Sequence, residues 1–255
     1  MPGPVQSIER AAAVLRLLAS RSGRLGLTDV ASSLGLARGT AHGILRTLQL
    51  VGFVEQDKES GKYQLGAALL HLGTSYLDVN ELRSRAINWA DPLAARSGEA
   101  VRLGTLLERQ VLIVHHVFRP DDTLQVLEVG SLLPAHACAL GKVLLAFDSQ
   151  TAAAVAQAGM DRYTRRTVTT AKDLNRALLL VREQGWAAEV EELHPGEAAI
   201  AAPIRGYGGL VVGALGISGP VERVCDGSGE PRVGLVGYVR NAARAVSRDL
   251  GAARW

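Results

Sequence analysis

The chain has 255 residues, 47% hydrophobic and 21% charged, the proportions of a soluble globular protein, which exclude a collagen, a mucin stalk or a disordered tail. Two cysteines, Cys138 and Cys225, no apolar signal core at the start and no run approaching eighteen apolar residues imply a cytoplasmic protein with no membrane span. The net charge of +3 sits entirely in residues 1–66, with eight Lys or Arg against five Asp or Glu, whereas residues 67–255 hold twenty of each; a small basic module joined to a larger neutral one fits a first part that meets a polyanion.

Ser7 is placed to cap a helix in which Ile8, Ala11, Leu15 and Leu18 recur at helical spacing, with Gly23 and Gly26 to break it. Thr28 is the next expected cap, followed by Asp29 at the positive helix end and a short buried face of Val30, Ala31 and Leu34 before Gly35. From Arg38 to about Leu50 a third helix buries Ala41, Ile44, Leu45 and Leu48 and turns Gly39, His42, Gly43, Arg46 and Thr47 outward. Each of its two glycines costs about 1 kcal/mol relative to alanine, so something outside the helix must need the missing side chains. A helix, a Gly turn and a second helix with that outward face form a helix-turn-helix, whose second helix enters the major groove. Arg46 suits guanine O6 and N7, and Thr40 and Thr47 suit phosphate oxygens or a thymine methyl group. Phe53 and Val54, a turn over 57–61, and Tyr63 with Leu65 predict a hairpin, or wing, with Lys58 and Lys62 at its tip to touch phosphates and Glu55, Asp57 and Glu59 to weaken it.

Residues 67–90 read as a helical linker, and Asp91-Pro92 predicts a break or bend near Ala90. Beyond it, alternation from Val101 to Leu107 and the runs VLIVHHV, TLQVLEV, EAAIAAPI and LVVGALGIS predict at least five strands, with helices over 137–147, 171–184 and 233–250. The result is an α+β domain with helices on a sheet. Gly141-Lys142-Val143 lacks the remaining glycine and hydroxyl of a phosphate loop. Adjacent strand residues face opposite ways, so Glu191-Glu192 and His115-His116 make neither an acid pair nor a metal pair. The helix beginning near Ala137 points free N–H groups at the loop from Leu133 to His136, which suits a polar oxygen or an anion and makes a ligand pocket the better reading there.

The stretches SIERAAAVLRLLA, LTDVASSLGLARGTAHGILRTLQLVGFVEQD and GKYQLG, and then PAHACALGKVLLA, GWAAEVEELHPGEAAIAAPIR and VVGALGISGPVERV, resemble the IclR family of bacterial transcription regulators over nearly the whole chain. The resemblance implies a winged helix-turn-helix domain over 1–66, a helical linker over 67–90 and a GAF-like α/β effector-binding domain over 91–255. It implies double-stranded operator DNA held by Thr28, Arg38, Gly39, Thr40, His42, Gly43, Arg46, Thr47, Lys58 and Lys62. It also implies an effector pocket lined by Leu133, His136, Cys138, Ala139, Leu140, Glu189, Glu197, Ala199, Gly216 and Ser218. A homodimer or a tetramer of two dimers follows from the same likeness, with no cofactor, no metal and no catalysis. The subgroup it most resembles implies a repressor of a glycerol-utilisation operon, released by glycerol or glycerol 3-phosphate. Alternatives are a family regulator of another catabolic operon that senses a small carboxylate, a metal-dependent sensor or enzyme centred on His136 and Cys138, and a protein whose small domain only dimerises. One local departure is Ala37, Arg38 and Gly39, where the family often has Ser, Lys or Pro, leaving Ala37 a poor helix cap.

Overall fold

A computed structural model of the chain describes residues 3–20, 24–78 and 81–252, and the chain divides into two compact units, Met1–Val79 and Asn80–Trp255. Among the described residues no helix is long and apolar enough to cross a membrane.

In the first unit α1 (Gln6–Ser20), α2 (Leu27–Ser33) and α3 (Arg38–Leu50) precede a two-stranded hairpin, β1 (Val54–Gln56) and β2 (Tyr63–Leu65), and α4 (Ala68–Asp78) follows it. The amphipathic stripes converge on one core of Val14, Leu18, Leu25, Val30, Leu45, Leu48, Val54 and Tyr63. Two cap assignments change. Ser7 lies inside α1, where Val5 instead accepts from the Ile8 N–H at 3.0 Å, and Ile8 is 68% exposed and off the buried stripe. Gly26, not Thr28, is the cap residue of α2, and the Asp29 carboxylate at the third helical position reaches back to accept from the Gly26 N–H at 3.1 Å, the return half of a capping box, with no side chain to accept from the first helical N–H groups as a threonine hydroxyl would. Gly23 lies outside the described residues. Gly35, at φ +62°, makes the turn into α3. Ala37 caps α3 with no side-chain hydrogen bond. β1 and β2 pair antiparallel with Glu55 opposite Gln64, and Leu25 adds a bridge to Tyr63.

The stretch 67–90 forms α4 in the first unit and the first part of α5 (Glu81–Ser97) in the second. The expected break near Ala90 is absent: α5 continues through Pro92. Proline removes one helical hydrogen bond, but Leu82, Ala86, Ala90, Leu93 and Ala94 are all buried along one stripe, and that burial outweighs the lost bond.

The second unit is built on one antiparallel sheet in the order β5-β4-β3-β8-β7-β6. Its strands are β3 (Ala100–Leu107), β4 (Gln110–Val117), β5 (Leu132–Pro134), β6 (Ala187–Val190), β7 (Glu197–Arg205) and β8 (Val211–Pro220). The remaining helices are α6 (Ala139–Phe147), α7 (Ser149–Ala158), α8 (Ala171–Gln184), the short α9 (Val221–Val224) and α10 (Val233–Asp249). Strand alternation sorts the layers. A side chain at Gly213 would meet Leu82 of α5, whereas one at Gly104 would meet Leu140 of α6. So α5 and α10 cover one face, and α6, backed by α8, covers the other. TLQVLEV, expected as a strand, is a loop in which Leu124 is fully exposed; its alternating pattern finds no neighbouring strand to bond, and the short β5 takes the sheet edge instead.

Candidate nucleic-acid interface and ligand cavity

Helix α3 buries Ala41, Leu45 and Leu48 and leaves Arg38, Gly39, Thr40, His42, Gly43, Arg46 and Thr47 exposed. A Cβ added at Gly39 or Gly43 would have nothing within 4 Å. Neither glycine is required by packing within the protein, so the shallow stretch they make is available to an outside surface. The Thr47 hydroxyl donates to the Gly43 carbonyl at 2.9 Å. That bond occupies its proton, leaving an acceptor lone pair and a methyl group for a partner. Thr28 is exposed in the first turn of α2, and Lys58 and Lys62 are exposed on the hairpin.

Two of the hairpin's three acidic side chains are engaged internally. Asp57 is paired with Arg24 at 2.5 Å and accepts from the Ser60 N–H and hydroxyl, and these hydrogen bonds, ahead of Arg24, hold its carboxyl below the ordinary value. Glu55 accepts from the Ala67 N–H at 3.2 Å. Arg24 thus offsets the Asp57 charge at the turn, while Glu55, bonded to a neutral N–H, keeps its own. Arg24, which also donates to Gln64 at 2.8 Å, had no sequence signal, because its partners lie 33 and 40 positions further along the chain.

In the second unit, α6 packs across the sheet and leaves a cavity of about 100 Å³ between its N-terminus and strands β3, β6, β7 and β8. Nine of the ten residues that the family resemblance implied line it: Leu133, Cys138, Ala139, Leu140, Glu189, Glu197, Ala199, Gly216 and Ser218. His136 stands apart. Although buried, it lines a different, more open hollow with Tyr163 and donates from Nε2 to the Asp161 carbonyl at 3.0 Å. Just before α6 the backbone is tightly packed: Gly141 presses so closely on Ala135 that a Cβ would sit 2.1 Å from its carbonyl oxygen. That contact fixes the turn before the helix.

Cys138 caps α6, its sulfur accepting from the Gly141 N–H at 3.4 Å. Burial pushes its thiol up to about 12, the opposite of an activated thiolate, and His136 is not in its cavity. Glu189 projects from β6 into the cavity. Burial raises its carboxyl to about 7, opposed by the Glu192 N–H it accepts at 3.0 Å. Lys142, buried, pairs with Glu192 and donates to the Ala188 carbonyl, so it supports β6 and does not reach out as a phosphate lysine. His115 and His116 are both held below the ordinary imidazole value, chiefly by burial. Among the described residues no group of three or more His, Cys, Asp or Glu could hold a metal ion.

Sequence reasoning did not place Arg102, Glu128, Leu193 or His194 in the lining. Arg102, on β3, forms a two-pronged ion pair with Glu128, at 2.5 Å from Nε and 2.6 Å from Nη2. Its charge is thus already matched by the protein.

Comparison with known proteins bears on both parts. Residues 7–58 match the family model described as the IclR helix-turn-helix domain, and residues 74–248 match Bacterial transcriptional regulator IclR C-terminal. The chain is 59% identical over 251 residues to the Glycerol operon regulatory protein of Streptomyces coelicolor and 57% identical to that of Streptomyces griseus, covering 98% of each chain. Among solved structures, an IclR transcriptional regulator from Alicyclobacillus acidocaldarius aligns with a TM-score of 0.82 at 30% identity, over 96% of this chain and 99% of that one. An IclR homologue from Microbacterium hydrocarbonoxydans, solved with 4-hydroxybenzoate, aligns at 0.80 and 25% identity over 97% of this chain and all of that one.

Proposed function

Because the chain belongs to the IclR family of bacterial transcription regulators and carries both its helix-turn-helix and its C-terminal domain, we propose that it represses a glycerol-utilisation operon and is released by glycerol or glycerol 3-phosphate. The full-length likeness to two glycerol operon regulatory proteins supports the operon. The observation that carries the DNA-binding half is the exposed face of α3, where two glycines without internal neighbours flank His42 and precede Arg46.

The protein acts in the cytoplasm as a homo-oligomer, presenting two recognition helices to two half-sites of one operator. The effector binds the cavity beside α6 and favours an arrangement in which the helix spacing no longer fits. A ligand bound equally well in both arrangements would switch nothing. No part of this mechanism requires catalysis, and the separation of His136 from the Cys138 cavity argues against an active centre built on that pair.

The test is a gel-shift titration on the DNA flanking the gene, at two salt concentrations, with and without each effector. Binding that weakens with salt and is reversed by glycerol or its phosphate is expected. Arg46→Ala should cost about 1 to 3 kcal/mol and relax base preference at one position. Salt-insensitive or absent binding would remove the reading.

A further inference from the structure

The cavity beside α6 has a neighbour. A second hollow of about 250 Å³ lies on the outer side of Arg102, bounded by His116, Arg119 and Gln125, and the two hollows share Arg102, Glu128, Glu197 and Ser218 as a common wall. The Arg102–Glu128 ion pair forms part of that partition.

The two members of the pair are held differently. Arg102 is in the middle of β3, bonded to β4 on one side and β8 on the other, with His116 and Gly216 as its neighbours in register. Glu128 belongs to the loop between β4 and β5, and the described bonds that hold its end of the loop are few. Its N–H donates to His116 Nδ1 at 3.2 Å, the Ser131 N–H donates to its carbonyl at 2.9 Å, and Gly130 and Ser131 exchange backbone bonds with Ile113, whereas the first half of the loop is anchored by Arg119 beside Glu99 and by Asp121 on Arg223. In the same loop Leu124, Val126 and Leu127 are exposed. The cation sits on a strand bonded on both sides, and its anion on a loop bonded to the sheet along one side only.

We propose that Glu128 is an internal stand-in for the anionic group of the effector: a small hydroxylated phosphate monoester places its hydroxyls in the inner cavity and its phosphate on Arg102, displacing Glu128 and loosening the end of the loop around it, from 128 to 131. The guanidinium fork that now holds a carboxylate by one hydrogen bond and a second close charge contact presents the same two prongs to a phosphate. Such a ligand contacts Arg102 only when the loop has withdrawn, so its affinity differs between two arrangements of the protein, as a switch requires. An uncharged polyol can fill the inner cavity but cannot compete for Arg102. The inference rests on the reading of this cavity as the effector site and deepens it by assigning the ligand's charge and the element that moves.

The experiment is calorimetric titration of the full-length protein and of the Glu128→Gln and Arg102→Met variants with glycerol 3-phosphate, glycerol and inorganic phosphate. In the unaltered protein the ester is expected to bind more tightly than either of the other two. Glu128→Gln, which removes the competing charge, should tighten the ester by roughly tenfold relative to glycerol measured on the same variant. Arg102→Met should weaken the ester by roughly a hundredfold, the order expected when a charged hydrogen-bond partner is lost. Amide exchange in the unaltered protein gives a check independent of how the variants fold: Glu128, Gly130 and Ser131 should exchange faster when the ester is bound. Four results would overturn the proposal: glycerol binding more tightly than its phosphate, inorganic phosphate matching the ester, an ester affinity relative to glycerol unmoved by Glu128→Gln, or slower exchange across the loop. Those results leave the glycerol-linked effector site standing, whereas failure of both glycerol and its phosphate to bind the unaltered protein overturns that reading itself.

Discussion

Arg24 ties the segment before α2 to the far strand of the hairpin: its Nε donates to Gln64 Oε1 at 2.8 Å, while Nη1 pairs with Asp57 at 2.5 Å. One guanidinium thus holds both the strand and the turn of the wing. Half-exposed ion pairs contribute little to stability, so Arg24→Ala is expected to leave the unfolding midpoint nearly unchanged while weakening operator binding severalfold, because the wing loses its fixed angle. The salt dependence separates this from a direct phosphate contact. Lys62→Ala should lower the slope of log affinity against log salt by about one, whereas Arg24→Ala should leave the slope as it is. A reduced slope in the Arg24 variant would make it a phosphate ligand.

Gly39, the second residue of α3, and Gly43, in its interior, have open space where their side chains would be. Alanine at either position should therefore stabilise the isolated protein, by up to about 1 kcal/mol each from helix propensity, and weaken operator binding, because the added methyl groups hold the backbone off the groove. Urea unfolding and gel shifts on the same variants measure both. Stabilisation with unaltered DNA affinity would mean that α3 does not approach the bases at these two positions.

The course of α3 was legible because the 3.6-residue spacing of Ala41, Leu45 and Leu48 admits one buried face, and that face is the one observed. The hairpin was legible from its turn and the residues flanking it. The loop over 123–129 was misread for a physical reason: alternation specifies a strand only if a partner edge is present, and pairing is not written in the segment itself. The same limit hid Arg102–Glu128. The two residues are 26 positions apart, and they meet only because β4 returns beside β3 and the following loop folds back over the sheet. The family resemblance named most of the cavity lining but could not show that His136, two residues before Cys138, turns the other way.

Cys138 offers a test of the noncatalytic reading. With its thiol raised to about 12 by burial and its sulfur accepting from Gly141, it should resist iodoacetamide at pH 8 in the folded protein and react at an ordinary rate in urea. Cys138→Ser, which keeps a cap acceptor, should fold with a loss of about 1 kcal/mol or less. Rapid labelling of the native protein would indicate an activated thiolate and reopen the enzymatic alternative.

Glu189 links the cavity to pH. Its carboxyl stands at about 7 against an ordinary value of 4.5, raised first by burial and further by Glu192, and lowered by Lys142 and by the N–H groups of Glu192 and Leu193. A folded state that keeps its proton to higher pH than the unfolded state is favoured at low pH. The unfolded chain releases this proton near pH 4.5 and the folded one near pH 7, so this contribution to stability falls as pH rises between those values and is level above them. The difference corresponds to about 2 to 4 kcal/mol. Glu189→Gln, which cannot ionise, removes that slope. Subtracting the unfolding free energies of the variant from those of the unaltered protein at pH 5 and pH 8 cancels the other titrating groups, and a relative gain for the variant at pH 8 is expected. Parallel stability curves would mean that Glu189 is hydrated and ionised in the folded protein, and a carboxylate already charged at that position would face the ligand as a fixed acceptor for its hydroxyl groups.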